Sequence, residues 1–444
     1  MGHSIRFIEF WNEPDIFFYS GHPWDLAAFA KAGALGIKDT DPTLGVLGGS
    51  RCNTIEFWRK WLANGVGPYI DIFNQHSYGK PEEQFALIQQ DRNLIAEVGL
   101  ERPIWMTEMG QRSVPSPDGT YTLAERIQVV YLLRAYASGL AAGLDRFFYF
   151  YLQEFLEAGI HLWGLQRQDL SPKPAMLALG ALLRQVGQAK VVGCLIKDEC
   201  YCIVFERLPG DFVGVAWSTK NSLVISGWDS ALPNLEPGQD WTRIDGEFDL
   251  PVRQGAYLVD AMGRQTQECT GDSVKIKLSL CPVFVRGLDV SRMNLVPPAP
   301  NLHYVPSSKV LSPKRHIWLQ AQCRPERPLL KHEDAQTQKN ALHTSAGQVE
   351  DIALIVHNYG CESSRVSVTY KLPSEWTLEG VKTEDGSVIT GSTIPLVVPA
   401  GLSQGITITY KPMEVKPGEE YSVKAWLYLD GAPHDQVAVY YKGV

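Results

Sequence analysis

The chain has 444 residues, 45% of them hydrophobic, a formal net charge of −8 and a pI near 5.7, which leaves material for about three domains at ~150 residues each. No basic run stands out, which argues against nucleic acid as a partner; no apolar run is long enough to span a bilayer, and no signal peptide opens the chain. The eight Cys show no C-x-x-C spacing, so structural zinc is not expected, and an even count in a long chain leaves disulfide pairing and redox compartment open.

Residues 5–10 form a short apolar run that reads as a strand, and Asn12, Glu13 and Pro14 follow it. Helical spacing covers about 24–37, with Trp24, Ala27, Ala28 and Leu35 on one side. A short strand over 44–47 runs into Gly48-Gly49-Ser50, and a helix begins near Asn53, where Glu56 three residues on resembles a capping box. The next strand, 69–73, leads into a loop that carries His76 and Tyr78; a helix over 83–98 and a strand over 103–106 bring the chain to Thr107-Glu108. Thr122 with Glu125 makes a second capping-box pattern, opening a helix to about 142. A strand over 147–151, a loop containing Trp163 and a helix over 174–186 complete the alternation, which implies a parallel sheet with helical crossovers.

Beyond about 191 the pattern changes to short runs separated by turn residues, as in 200–206, Pro209-Gly210-Asp211 and 212–217, then 255–259 and 274–280. This is a β-sandwich signature. Residues 291–313 are Pro-rich and read as a stiff linker. Strict alternation at Val366, Val368 and Tyr370, at Ile406, Ile408 and Tyr410, and at Val437, Val439 and Tyr441 predicts half-buried antiparallel strands. The expected organisation is an α/β region over 1–187, a β-sandwich over 188–290, the linker, and an immunoglobulin-like β-sandwich over 314–444 that folds alone.

Two carboxylates, Glu13 and Glu108, each follow a strand, with room between them for about three βα units at ~30 residues each. Asn12-Glu13-Pro14 after a strand, with Thr107-Glu108 three strands later, resembles the retaining glycoside hydrolases built on (β/α)8 barrels. Trp11 and Asp15 around the motif are closest to the β-xylosidase and α-L-iduronidase branch. The resemblance covers residues 4–187. It implies a TIM barrel whose catalytic face is built by the loops after the strands. It implies Glu13 as acid/base and Glu108 as nucleophile, with carboxyl groups about 5–5.5 Å apart, and Asn12 on the sugar 2-hydroxyl. It also places His76 and Tyr78 near the nucleophile, where a hydroxyl bonded to Glu108 holds it ionised and oriented, and Trp163 as an aromatic platform for the sugar. The implied partner is a carbohydrate, and the mechanism needs no metal or organic cofactor.

In the resembled barrels the Asn-Glu pair ends the fourth of eight strands. Here it begins at residue 12, so strands four to eight of a partial barrel are expected. On that resemblance roughly 90 further residues are expected upstream at ~30 per unit, together with any signal peptide. An extracytoplasmic location therefore stays open, and weak or no activity is expected from this chain alone. Two other readings stay open: a non-catalytic carbohydrate-binding protein on a degenerate barrel, and an interaction protein whose β-domains matter most. The sugar, the linkage, the anomeric configuration and the oligomeric state are not legible.

Overall fold

The computed structural model describes residues 5–115, 119–154, 156–157, 161–220, 225, 227, 243–306, 311–324 and 339–444. Strands and helices alternate at first: β1 (Phe7–Glu9), α1 (Pro23–Thr40), β2 (Gly45–Arg51), α2 (Ile55–Leu62), β3 (Ile72–His76), α3 (Gln84–Ala96), β4 (Ile104–Met109), α4 (Thr122–Ala141) and β5 (Arg146–Tyr149). A small hairpin, β6 (Leu156–Glu157) and β7 (His161–Leu162), precedes α5 (Pro174–Val186). The next group is all strand: β8 (Lys190–Lys197), β9 (Cys200–Leu208), β10 (Asp211–Ser218), β11 (Gly246–Val259), β12 (Gln265–Glu268), β13 (Ser273–Leu278) and β14 (Val283–Leu288). The last group is β15 (Ile317–Arg324), β16 (Leu342–Thr344), β17 (Glu350–Asn358), β18 (Ser364–Lys371), β19 (Trp376–Thr383), β20 (Thr393–Val398), β21 (Leu402–Pro412), β22 (Glu420–Leu429) and β23 (Ala432–Gly443). The protein is thus mixed, with parallel α/β and antiparallel β parts. Among the described residues no helix is long and apolar enough to cross a membrane.

The chain divides into two compact units. The first comprises Met1–Asn74, Leu94–Arg102 and Tyr304–Val444. In it β1 pairs with β2 in parallel, and β2 neighbours β3. The strand β2 runs through the two glycines where the sequence predicts an end. A Cβ at Gly48 would stand 2.7 Å from the Trp61 ring, and Gly49 has φ +101°. Only glycine lets the chain stay extended beneath that indole. The amides ahead of α2 are not satisfied by a local capping box. The Asp15 carboxylate accepts from the N–H groups of Cys52, Asn53 and Thr54 instead, so the cap comes from the loop after β1.

The same unit holds two antiparallel sheets, β15-β17-β21-β19 and β18-β20 with β22 and β23, onto which β16 adds in parallel. The alternating residues Val366, Val368, Ile406, Ile408, Val437 and Val439 meet in one core, as their spacing predicts. Trp24 of α1 belongs to that core. Buried lysines of the helices also reach the sandwich: Lys31 Nζ lies 2.7 Å from Asp435, and Lys60 pairs with Glu420. The sequence sets 314–444 apart behind a linker, whereas these contacts join it to α1 and α2 in one compact unit.

The second unit comprises Gln75–Asn93 and Pro103–His303. The end of β3 neighbours β4, which pairs with β5 in parallel. An antiparallel sheet in the order β12-β11-β14-β10-β9-β8, with β13 on β11, packs Ile203, Phe205, Val213 and Trp217 against Leu132 and Leu133 of α4 and Leu182 of α5. Glu82 ties these parts together, accepting from Arg134 of α4 and from the Trp217 indole of β10. The strand β11 has 14 residues: it includes the expected run 255–259 and extends back through Pro251 to Gly246. Pro251 is the last residue paired with β13, and the pairing with β14 begins at Val252. The proline therefore sits at a change of partner rather than inside a ladder.

The predicted capping box at Thr122 is not formed. Tyr121 is the N-cap of α4, and Glu125 pairs with Arg167. The start of the Pro-rich linker is pinned: Val296 and Cys194 exchange both backbone hydrogen bonds, and the Asn301 amide donates to Leu144. Residues 307–310 of the linker lie outside the described residues, as do 221–224, 226 and 228–242 of the expected 188–290 sandwich.

Candidate functional site

In the second unit, strand β4 carries Glu108 one residue before its end. Ile104, Trp105 and Met106 are buried and hold the strand, while the Glu108 side chain keeps 23% of its surface exposed. Glu108 therefore belongs to the strand rather than to a loop, which fixes its Cα on a rigid element. The phenolic O–H of Tyr78 donates to Glu108 Oε2 over 2.6 Å. His76 Nδ1 lies 3.4 Å from the same oxygen, and His76 Nε2 is 3.1 Å from the Thr107 hydroxyl. His76 is itself the last residue of β3, three positions beyond the strand end expected at 73. The backbone N–H of Ser77 donates to the Glu108 carbonyl, so the loop bearing Tyr78 starts in register with β4.

Trp163 is only 1% exposed. Its ring meets Tyr78 edge-on at 5.0 Å, and Phe150 packs on both rings, at 6.3 Å from Tyr78 and 6.0 Å from Trp163. Gln128 of α4 reaches into this layer and donates from Nε2 to the carbonyls of Gln111 and Trp163. The chain passes closely here, since a Cβ at Gly110 would stand 2.3 Å from the Phe150 carbonyl. The indole, expected as a platform for the sugar, is instead buried against Tyr78 and braces that ring, and the Tyr78 hydroxyl is aimed at the carboxylate. A hydroxyl donated to a carboxylate favours its charged form and restricts its rotation.

In the first unit, Asn12 and Glu13 follow β1 in a tight loop. Asn12 is exposed and Glu13 is 7% exposed. Glu13 has φ +45°, a left-handed conformation that a non-glycine residue adopts only when its surroundings impose it. Three groups impose it. The Glu13 N–H donates to the Ser50 hydroxyl over 2.9 Å. Asp15 is anchored to the amides ahead of α2, as described above; burial pushes its carboxyl up from the ordinary value, and the backbone hydrogen bonds from Asn53 and Cys52 act the other way. The ammonium of Lys339 donates to the carbonyls of Pro14, Ile16 and Tyr19. Ser50 stands out only weakly in the sequence, and nothing near Lys339 marks it, because its partners lie more than 300 positions away.

Of the residues expected at the site, Glu108, His76, Tyr78 and Trp163 come together in the second unit. Asn12 and Glu13 belong to the first, each in the loop after a strand as the sequence predicts.

No protein-family model matches the chain, and no curated protein matches it. Among solved structures the chain is similar to a family 39 glycoside hydrolase from the gut symbiont Bacteroides cellulosilyticus WH2, at 17% identity and a TM-score of 0.47. That alignment covers 63% of this chain and 57% of the other, so the chain spans just over half of that protein's length. It is also similar to a family 17 β-1,3-glucanosyltransferase from Rhizomucor miehei, at 13% identity and a TM-score of 0.25, over 34% of this chain and 56% of that one. The CARDB domain of the PF1109 protein from Pyrococcus furiosus matches at 7% identity and a TM-score of 0.18, over 29% of this chain and 87% of the domain.

Proposed function

We propose that the chain carries the catalytic residues of a retaining glycoside hydrolase, with Glu108 as nucleophile and Glu13 as acid/base. The observation that carries this reading is the Tyr78 hydroxyl donated to Glu108 Oε2 at the end of β4, with His76 beside the same oxygen. A carboxylate that must attack an anomeric carbon has to be ionised and aimed, and a donated hydroxyl favours both. The Asn12-Glu13-Pro14 motif after β1 supports the other half of the pair.

In the first step a Glu108 oxygen forms a bond to the anomeric carbon while the glycosidic C–O bond breaks. Glu13 gives its proton to the departing oxygen. In the second step Glu13 takes a proton from water, the hydroxyl adds to the anomeric carbon and the ester to Glu108 breaks, which returns the starting configuration. Asn12 binds the sugar 2-hydroxyl, His76 orients the nucleophile together with Tyr78, and Trp163 acts through Tyr78 as the wall behind it. The likeness of the Trp11 to Asp15 stretch to the β-xylosidase and α-L-iduronidase branch makes pentosides and uronides the first substrates to test.

The test is a panel of aryl glycosides, with the anomer released from the best of them followed by NMR before mutarotation. Retention with loss of turnover in Glu108→Ala is the expected result. Inversion, or full turnover in Glu108→Ala, removes the assignment.

A further inference from the structure

We infer that Lys339 is a positioning residue for the acid/base carboxylate, a clamp by which the β-sandwich region of the first unit sets the loop bearing Glu13. This rests on the reading of Glu13 given above. Lys339 lies between β15 and β16 and is 1% exposed. Its ammonium has three N–H groups, and three carbonyls converge on it. Pro14 and Tyr19 accept at 2.9 Å each, and Ile16 is the third. All three belong to the turn that leaves Glu13. The Phe57 ring lies 5.7 Å from Nζ on another side.

The turn needs such an outside donor. Its own backbone supplies one bond from within, from the Ile16 N–H to the Glu13 carbonyl, while Glu13 is held at positive φ. Three carbonyls pointing at one place repel one another unless a cation sits between them, and a buried ammonium is stable only if each of its protons finds an acceptor. Each side therefore supplies what the other lacks. The backbone around Lys339 is fixed in turn. The Lys339 carbonyl faces His22 Nδ1 at 2.6 Å, just ahead of α1, and the Asn340 carbonyl accepts from Lys60 of α2 at 2.9 Å. The clamp is thus seated on two helices and holds the loop from its far side. Burial lowers the Lys339 pKa to about 8, with the Asp15 carboxylate acting the other way, so the ammonium stays charged at neutral pH.

The experiment uses the full chain with Lys339→Met and Lys339→Arg, read in two ways. Hydrogen exchange of peptides covering residues 10–22 should quicken about tenfold or more in Lys339→Met, while peptides from β17 and β21 keep parental rates. Lys339→Arg, which keeps charge and donors, should restore most of the protection. In activity, kcat/KM of Lys339→Met should fall at least tenfold more on an alkyl glycoside than on a dinitrophenyl glycoside, because only the poor leaving group needs the proton from Glu13. Should Lys339→Met not fold, Lys339→Gln takes its place in both measurements. Unchanged exchange over 10–22 overturns the clamp, and equal losses on both leaving groups overturn its link to proton transfer. A parent with no glycosidase activity removes the catalytic reading alone, and the exchange measurement then decides the clamp by itself.

Discussion

Replacing Tyr78 by Phe removes one oxygen and little else. The ring keeps its edge contacts with Trp163 at 5.0 Å and Phe150 at 6.3 Å, so the fold should survive. What is lost is the 2.6 Å hydrogen bond to Glu108 Oε2. A hydrogen bond to a charged group contributes about 1.5–3 kcal/mol. If that stabilisation is drawn on when the carboxylate is aimed at the anomeric carbon, kcat/KM should fall about 10- to 150-fold. Two assays read the same step: turnover of a dinitrophenyl glycoside, and the rate at which a 2-deoxy-2-fluoro glycoside traps the nucleophile. Both should fall together, while the thermal midpoint moves by no more than a few degrees. Rates within twofold of the parent in both assays would refute the argument that this hydroxyl prepares Glu108.

Three further outcomes are expected. Glu108→Ala should abolish turnover of every substrate, whereas Glu13→Ala should cost far more on alkyl than on dinitrophenyl glycosides; equal losses would contradict the two roles. Asp25 in the first turn of α1 has its pKa raised to about 6 by burial, with the His22 N–H acting the other way. Its ionised form therefore weakens the fold, fully above pH ~6 and not at all below the unfolded value near 4, a difference of up to about 3 kcal/mol. Asp25→Asn should accordingly be more stable than the parent at pH 7 in urea unfolding, and the gap should close as the pH falls from 6 to 4. Lys173, paired with Glu154 where both side chains are nearly fully buried, should cost about 3–5 kcal/mol when replaced by Met, because Glu154 is left buried without its cation. A loss under 1 kcal/mol would mean that water reaches the pair.

Elements whose signal is local were legible in the sequence. Helix α5 occupies the residues its Pro start and apolar spacing predict, and the alternating valines, isoleucines and tyrosines of β18, β21 and β23 face a core. Asn12 and Glu13 lie in the loop after β1 and Tyr78 in the loop after β3, as expected, while His76 and Glu108 lie inside β3 and β4 rather than after them. What could not be read has its cause elsewhere in the chain. The amides before α2 are capped by Asp15, not by a residue of their own turn. The glycines in β2 answer to Trp61, and Pro251 stays inside a strand because the strand changes partner there. Glu125 looked like a cap and proved to be the partner of Arg167. Lys339 is the extreme case, since a lysine between two strands carries no mark of the carbonyls it will meet.

The pair of Lys31 in α1 with Asp435 in β23 has a bearing on how the protein is made. Both side chains are nearly sealed from water, 0% and 4% exposed, and 404 residues separate them. At ~5–20 residues per second, α1 leaves the ribosome roughly 20–80 s before its counter-ion exists. Through that interval the helix exposes a bare ammonium together with Trp24, Ala28, Ala34 and Leu35, which later pack against residues of the sandwich. Contacts of such sequence separation also close slowly once the chain is complete. Assembly of the first unit therefore waits on the β22–β23 hairpin, and its early apolar segments stay uncovered until that hairpin arrives.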